Sequence, residues 1–156
     1  MRRALAVGSA LVGAAALLSG CMPPSGKGLH RSQLDTYIGA AVGDPSTCVL
    51  LADGNTDEVV YRYGVDFNCA RALPACDAPG VMNARAALRY AKQPGGRMAS
   101  CPIGPGGAGG TVGWAEGRVQ SKTRKLVYSA VMVGQRALPG HEINARLFDA
   151  FQKAGV

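Results

Sequence analysis

The residues best equipped for covalent chemistry are five cysteines: Cys21, Cys48, Cys69, Cys76 and Cys101. Setting Cys21 aside leaves an even set, and no pair has the Cys-x-x-Cys spacing of a zinc knuckle or a thioredoxin-type redox site. In an exported chain such a set reads as two structural disulfides. The two histidines are His30 and His141. His141-Glu142 lacks the second His of His-Glu-x-x-His, so no metal site is expected. No Gly-x-Ser-x-Gly elbow presents a nucleophile. Gly104-Pro105-Gly106-Gly107-Ala108-Gly109-Gly110-Thr111 approaches a phosphate-binding Gly loop, but Gly110 stands where that motif needs Lys. No cofactor is expected and no catalytic residue is assigned.

Cys21 has a context of its own. Arg2 and Arg3 form a basic start, and Ala4 to Leu18 is an unbroken run of small and aliphatic residues. That is the layout of a secretory signal. The run is about 15 residues, short of the ~20 that cross a bilayer as a helix. Leu18-Ser19-Gly20-Cys21 closes it and resembles the lipobox of bacterial lipoprotein precursors. The resemblance covers residues 1–21. It implies cleavage before Cys21, a diacylglyceryl group on its thiol and acylation of its new amino group. Two or more acyl chains anchor a protein stably where one does so only marginally. Membrane lipid is then the first expected partner. Met22 at the following position, where Asp would favour inner-membrane retention, implies the outer membrane if the organism has one. Met22 to Gly28 is rich in Pro and Gly and reads as a tether. The expected organisation is a signal peptide over 1–20, lipidated Cys and tether over 21–28, and one domain over 29–156.

Removing residues 1–20 from the 156 leaves 136, enough for one domain with a core of its own. Of 17 basic and 10 acidic residues, Arg2 and Arg3 leave with the signal, so the net charge falls from +7 to +5. The remaining basic residues are scattered, apart from Lys122-Thr123-Arg124-Lys125. Nucleic acid is not an expected partner, because no basic stripe with interleaved aromatics is present. The cluster reads either as a solvated turn between strands or as an attraction to anionic lipid or polymer.

Seven elements must carry these residues. Leu34, Tyr37, Ile38, Ala41 and Val42 recur at helical spacing over 29–42, and Gly43-Asp44-Pro45 ends that helix. Thr47 to Ala52 and Glu58 to Tyr63 flank the turn residues Asp53-Gly54-Asn55-Thr56-Asp57 and predict a β-hairpin. Gly64 to Gly80 reads as an ordered, stapled loop. Val81 to Lys92 reads as a helix, and Pro102 to Gly110 as a Gly/Pro-rich connection. Thr111 to Val119 reads as an edge strand, weakened by Gly113 and Gly117. Leu126 to Val133 is the most apolar strand and belongs at the centre of a sheet, covered at least in part on both faces. Pro139 and Glu142 begin a final helix with an apolar stripe of Ile143, Leu147, Ala150, Phe151 and Ala154.

The expected fold is α+β, two-layer, with a four-stranded antiparallel sheet in the order 2-1-4-3 and the terminal helices packed on one face. The hairpin returns Cys69 to the start of its first strand, which predicts Cys48–Cys69. Cys76 and Cys101 then flank the middle helix and pair. Cys69–Cys76 is the rival, and it would leave Cys48 for Cys101. Each expected loop contributes on the order of 3 kcal/mol through the unfolded state.

The helix, the hairpin Cys48-Val49-Leu50-Leu51-Ala52-Asp53 and Val59-Val60-Tyr61-Arg62-Tyr63, and the closing strand and helix resemble the α/β half of penicillin-recognising serine hydrolases. That chemistry needs Ser-x-x-Lys. The residues three past each mature Ser are Gly28, Asp35, Val49, Ile103, Arg124 and Met132, and there is no Lys-Thr-Gly. The resemblance therefore implies a scaffold without the activity. Trp114 and Tyr128 read either as core residues or as a face for a sugar or peptide. The function expected is a membrane-anchored, non-enzymatic binding or scaffolding module with an envelope-protein or cell-wall partner. The alternative is a hydrolase or inhibitor acting on cell-wall material.

Overall fold

The computed structural model describes residues 28–121 and 124–156. The signal segment and Cys21 lie outside the described residues, as do Lys122 and Thr123. The elements in order are α1 (Arg31–Val42), β1 (Cys48–Asp53), β2 (Val59–Tyr63), α2 (Asp66–Ala70), β3 (Leu73–Pro74), β4 (Val81–Met82), α3 (Ala84–Ala91), β5 (Arg97–Pro102), β6 (Thr111–Arg118), β7 (Leu126–Gly134) and α4 (Gly140–Lys153).

The fold is mixed α+β on an antiparallel sheet, and it corrects the expected one in three respects. The main sheet has five strands, in the order β2-β1-β7-β6-β5. Its first four follow the 2-1-4-3 order, and β5 extends it beyond β6. Thr111 to Val119 is consequently an interior strand, not an edge. Its glycines serve close approach. A Cβ on Gly113 would overlap the Leu138 carbonyl oxygen, and one on Gly117 would meet the Tyr128 ring at 3.1 Å. Finally, the layers number three. Helices α1 and α4 pack together on one face through Leu34, Ile38, Leu147 and Phe151 against Val49, Leu51, Tyr128 and Met132. Helix α3 and the stapled segment cover the other through Leu73, Ala87 and Leu88 against Leu50, Trp114 and Val131. Strand β7 is apolar throughout because both of its faces are buried.

The segment expected as a loop holds α2 and the β3–β4 pair. Helix α3 starts later than expected, at Ala84, because Asn83 caps it: its side-chain oxygen accepts the Ala86 N–H at 2.9 Å. The Ser129 hydroxyl donates to the Ala84 carbonyl at 2.7 Å and pins this helix start to β7. Cys48 is bridged to Cys69 and Cys76 to Cys101, with Cα separations of 5.2 and 5.3 Å. The first bridge closes the β1–β2 hairpin and the second ties the segment before α3 to β5.

Candidate functional site

The β1–β2 and β6–β7 hairpins turn at the same end of the sheet. Asp53 of β1 pairs with Leu126 of β7, and the Gly54 N–H donates to the Lys125 carbonyl at 2.6 Å. The C-terminus of α3 reaches the same place, where the Arg118 guanidinium donates to the Lys92 carbonyl at 2.9 Å. Between these elements lies a cleft of about 430 Å³, lined by Gly54, Asn55, Lys92, Arg118, Arg124 and Lys125 among others. A second depression of about 420 Å³ adjoins it through Lys92 and adds Arg85 and Arg89. Six cations from three elements thus gather at one end.

The acids nearby offset this charge only in part. Asp57 pairs with Lys92 at 2.5 Å. The Asp53 carboxylate accepts the backbone N–H groups of Asn55 and Thr56, at 2.8 and 3.2 Å. Those bonds hold its carboxyl below the usual 3.8, and Arg124 adds to the effect. The Nη1 of Arg124 is shut off from solvent with no hydrogen-bond acceptor among the described residues. The cleft therefore offers donors and positive charge, and no histidine lines it. Its chemistry is recognition of anionic oxygens such as phosphate or carboxylate.

A second cluster is buried under α3. Arg97 of β5 lies opposite Glu116 of β6 in the strand register. Its guanidinium meets Glu116 at 3.2 Å and Asp77 at 2.5 Å, donates to the Ala75 carbonyl and lies 4.6 Å from the centre of the Tyr90 ring. The Arg97 side chain is 7% exposed and that of Glu116 0%, while Asp77 remains half-exposed. Hydrogen bonds from Arg97 hold the Asp77 carboxyl below its usual value. Burial pushes Glu116 up to about 8, against the pull of Arg97. The cluster fastens the stapled segment to the sheet.

The linkage has a definite sign. A carboxyl raised on folding takes up a proton between its ordinary value of 4.5 and its folded value of about 8. Stability should therefore fall as pH rises through that window. Asp44, Asp53 and Asp77, all held low, act below about pH 4 and in the opposite direction. Urea midpoints measured from pH 5 to 8 should decline for the native chain and stay nearly level for Glu116→Gln. Parallel profiles for the two chains would contradict the assignment.

The structure separates the other residues singled out by the sequence. His30 and His141 are exposed, and neither donates to or accepts from a hydroxyl or carboxylate among the described residues. The Ser100 hydroxyl accepts the Gly140 N–H at 2.7 Å, and that of Ser129 is committed to α3. No Ser-His-acid arrangement and no metal-binding group of His, Cys, Asp or Glu occurs among the described residues. Trp114 and Tyr128 are buried in opposite cores and form no ligand face. The Gly-rich run joins strand to strand through a 3-10 turn at Pro105–Gly107 and turns its amides inward: Gly109 N–H to the Ile103 carbonyl, Gly110 N–H to the Gly107 carbonyl. A phosphate loop would open a helix instead.

Sequence reasoning found Arg124 and Lys125 but missed Lys92 and Arg118, which meet them only through the fold. No known protein family, no curated protein and no solved structure matches this chain.

Proposed function

We propose that this is a membrane-anchored envelope lipoprotein, held through acylated Cys21 and serving as a binding or scaffolding module. The observation that carries the reading is the agreement of basic start, short apolar run and Leu18-Ser19-Gly20-Cys21 with a domain stapled twice by the four remaining cysteines. Disulfides of this kind persist in oxidising compartments. A scaffold is favoured over a hydrolase because the histidines and serines stand apart and the charged cleft holds cations with no imidazole. In this reading the membrane is the outer one where the organism has one, and the partner is an envelope protein or cell-wall polymer.

Replacing Cys21 with Ser removes the thiol that accepts the lipid. The variant is expected as unprocessed precursor, or as chain released from membranes, when cells are fractionated. Mature-sized Cys21→Ser protein in the membrane fraction would remove the anchoring claim.

A further inference from the structure

The described chain begins at the end of the sheet that carries the cations. The Arg31 guanidinium, in the first turn of α1, donates to the Val60 carbonyl at 3.0 Å, one residue into β2 and next to the β1–β2 turn. Leu29 packs beside it against the core under α1 and α4. Helix α1 then runs away from that end, and the Thr47 hydroxyl, just before β1, donates to the Val42 carbonyl at 2.7 Å. Seven Cα–Cα steps separate Gly28 from Cys21. Fully extended they reach at most about 25 Å.

We infer that the cleft of Lys92, Arg118, Arg124 and Lys125, with Arg85 and Arg89 beside it, docks on the anionic phospholipid headgroups of the membrane that holds the chain. This rests on the anchoring reading and adds an orientation to it. Three features carry it. The tether leaves from the basic end, so a lipid on Cys21 keeps that end, and not the opposite one, near the bilayer. The cations come from α3, β6 and the β6–β7 turn and converge on one opening. Among the described residues the acids beside the opening, Asp53 and Asp57, are fewer than the six cations. Anionic leaflets attract such residues within about a Debye length, ~8 Å at physiological salt.

The acyl chain would mask this interaction, so the test uses the whole mature chain, residues 21–156, with Cys21→Ser. Sedimentation is measured with vesicles one-third phosphatidylglycerol in phosphatidylcholine, and with phosphatidylcholine alone. Binding is expected to the first only, and to weaken with salt. Arg124→Glu with Lys125→Glu should weaken it about tenfold or more. Arg71→Glu with Arg136→Glu makes the same charge change at the far end, where Arg136 pairs with Asp44 and Arg71 follows the Cys48–Cys69 bridge. That control should bind within about twofold of the parent. Circular dichroism melts confirm that both variants are folded, and Lys125→Gln alone serves as a milder probe if the double reversal unfolds. Equal loss in the two variants, equal binding to both vesicle types or no binding to either would overturn the docking face. So would saturable calorimetric binding of inorganic phosphate without preference for anionic vesicles, which assigns the cleft to a soluble anion. Because no acyl group is involved, failure here leaves the Cys21 fractionation result standing, so the two failures are distinguishable.

Discussion

Above about pH 8, where Glu116 is ionised, Arg97→Ala is expected to destabilise the domain by about 3–5 kcal/mol, the cost of breaking a buried ion pair from one side. Among the described residues Arg97 is the one group that satisfies Glu116, which is wholly buried on β6, and it also holds Asp77 and the Ala75 carbonyl. Its loss strands a carboxyl in the α3 core and unfastens the segment between β3 and β4. It also removes one of the two guanidinium groups on the Tyr90 ring and leaves that of Arg89. Trp114, the only tryptophan, is fully buried, so its fluorescence reports urea unfolding directly. The partner experiment is Arg97→Met with Glu116→Leu, which removes both charges together and should recover much of the loss. A single-variant loss under about 1 kcal/mol would show that the cluster behaves as an exposed pair does.

Trp114→Ala should have an effect of similar size, about 3–5 kcal/mol. The indole fills the centre of the core between β6 and α3, among Leu73, Ala87, Leu88 and Val131. Its N–H donates to the Pro74 carbonyl at 2.8 Å. The truncation therefore opens a cavity and takes the indole donor from the half-buried Pro74 carbonyl. Trp114→Phe keeps most of the apolar volume and should cost about half as much. Circular dichroism against urea is the readout, since the variants lack the fluorophore. Equal stability of the Ala and Phe variants would mean that the core collapses around the gap.

The two changes test the same region from its polar and apolar sides, and that region is where sequence reading was weakest. The β1–β2 hairpin and β7 were legible because their apolar runs coincide with their buried positions. Strand β5 was not, because its pattern is inverted: Arg97 is buried while Met98 is 47% exposed. An ion pair across β5 and β6 makes the charged residue the inward one, and hydrophobic periodicity cannot register that. The expected edge character of β6 had the same origin. Gly113 and Gly117 lower strand propensity, yet they are there because Leu138 and Tyr128 pass close by. Missing β5 and misplacing β6 together produced the four-stranded, two-layer expectation. The disulfides were legible because a hairpin fixes where its ends meet. The cleft was half legible, since Arg124 and Lys125 are adjacent in sequence and Lys92 and Arg118 are brought to them by α3 and β6.

The sheet order also governs when the domain can form. Strand β1 is the first strand made and β7 the last of the main sheet, yet they are hydrogen-bonded neighbours along their whole shared length. Until Leu126–Gly134 has been synthesised, the β1–β2 hairpin and the β5–β6 pair have no strand to join them. Both early pieces expose apolar surface to a growing chain during that interval. The Cys48–Cys69 bridge spans only 21 residues and closes inside the first piece, so oxidation can fix that piece while the rest is still arriving. The last strand then acts as the keystone that joins the two early pieces.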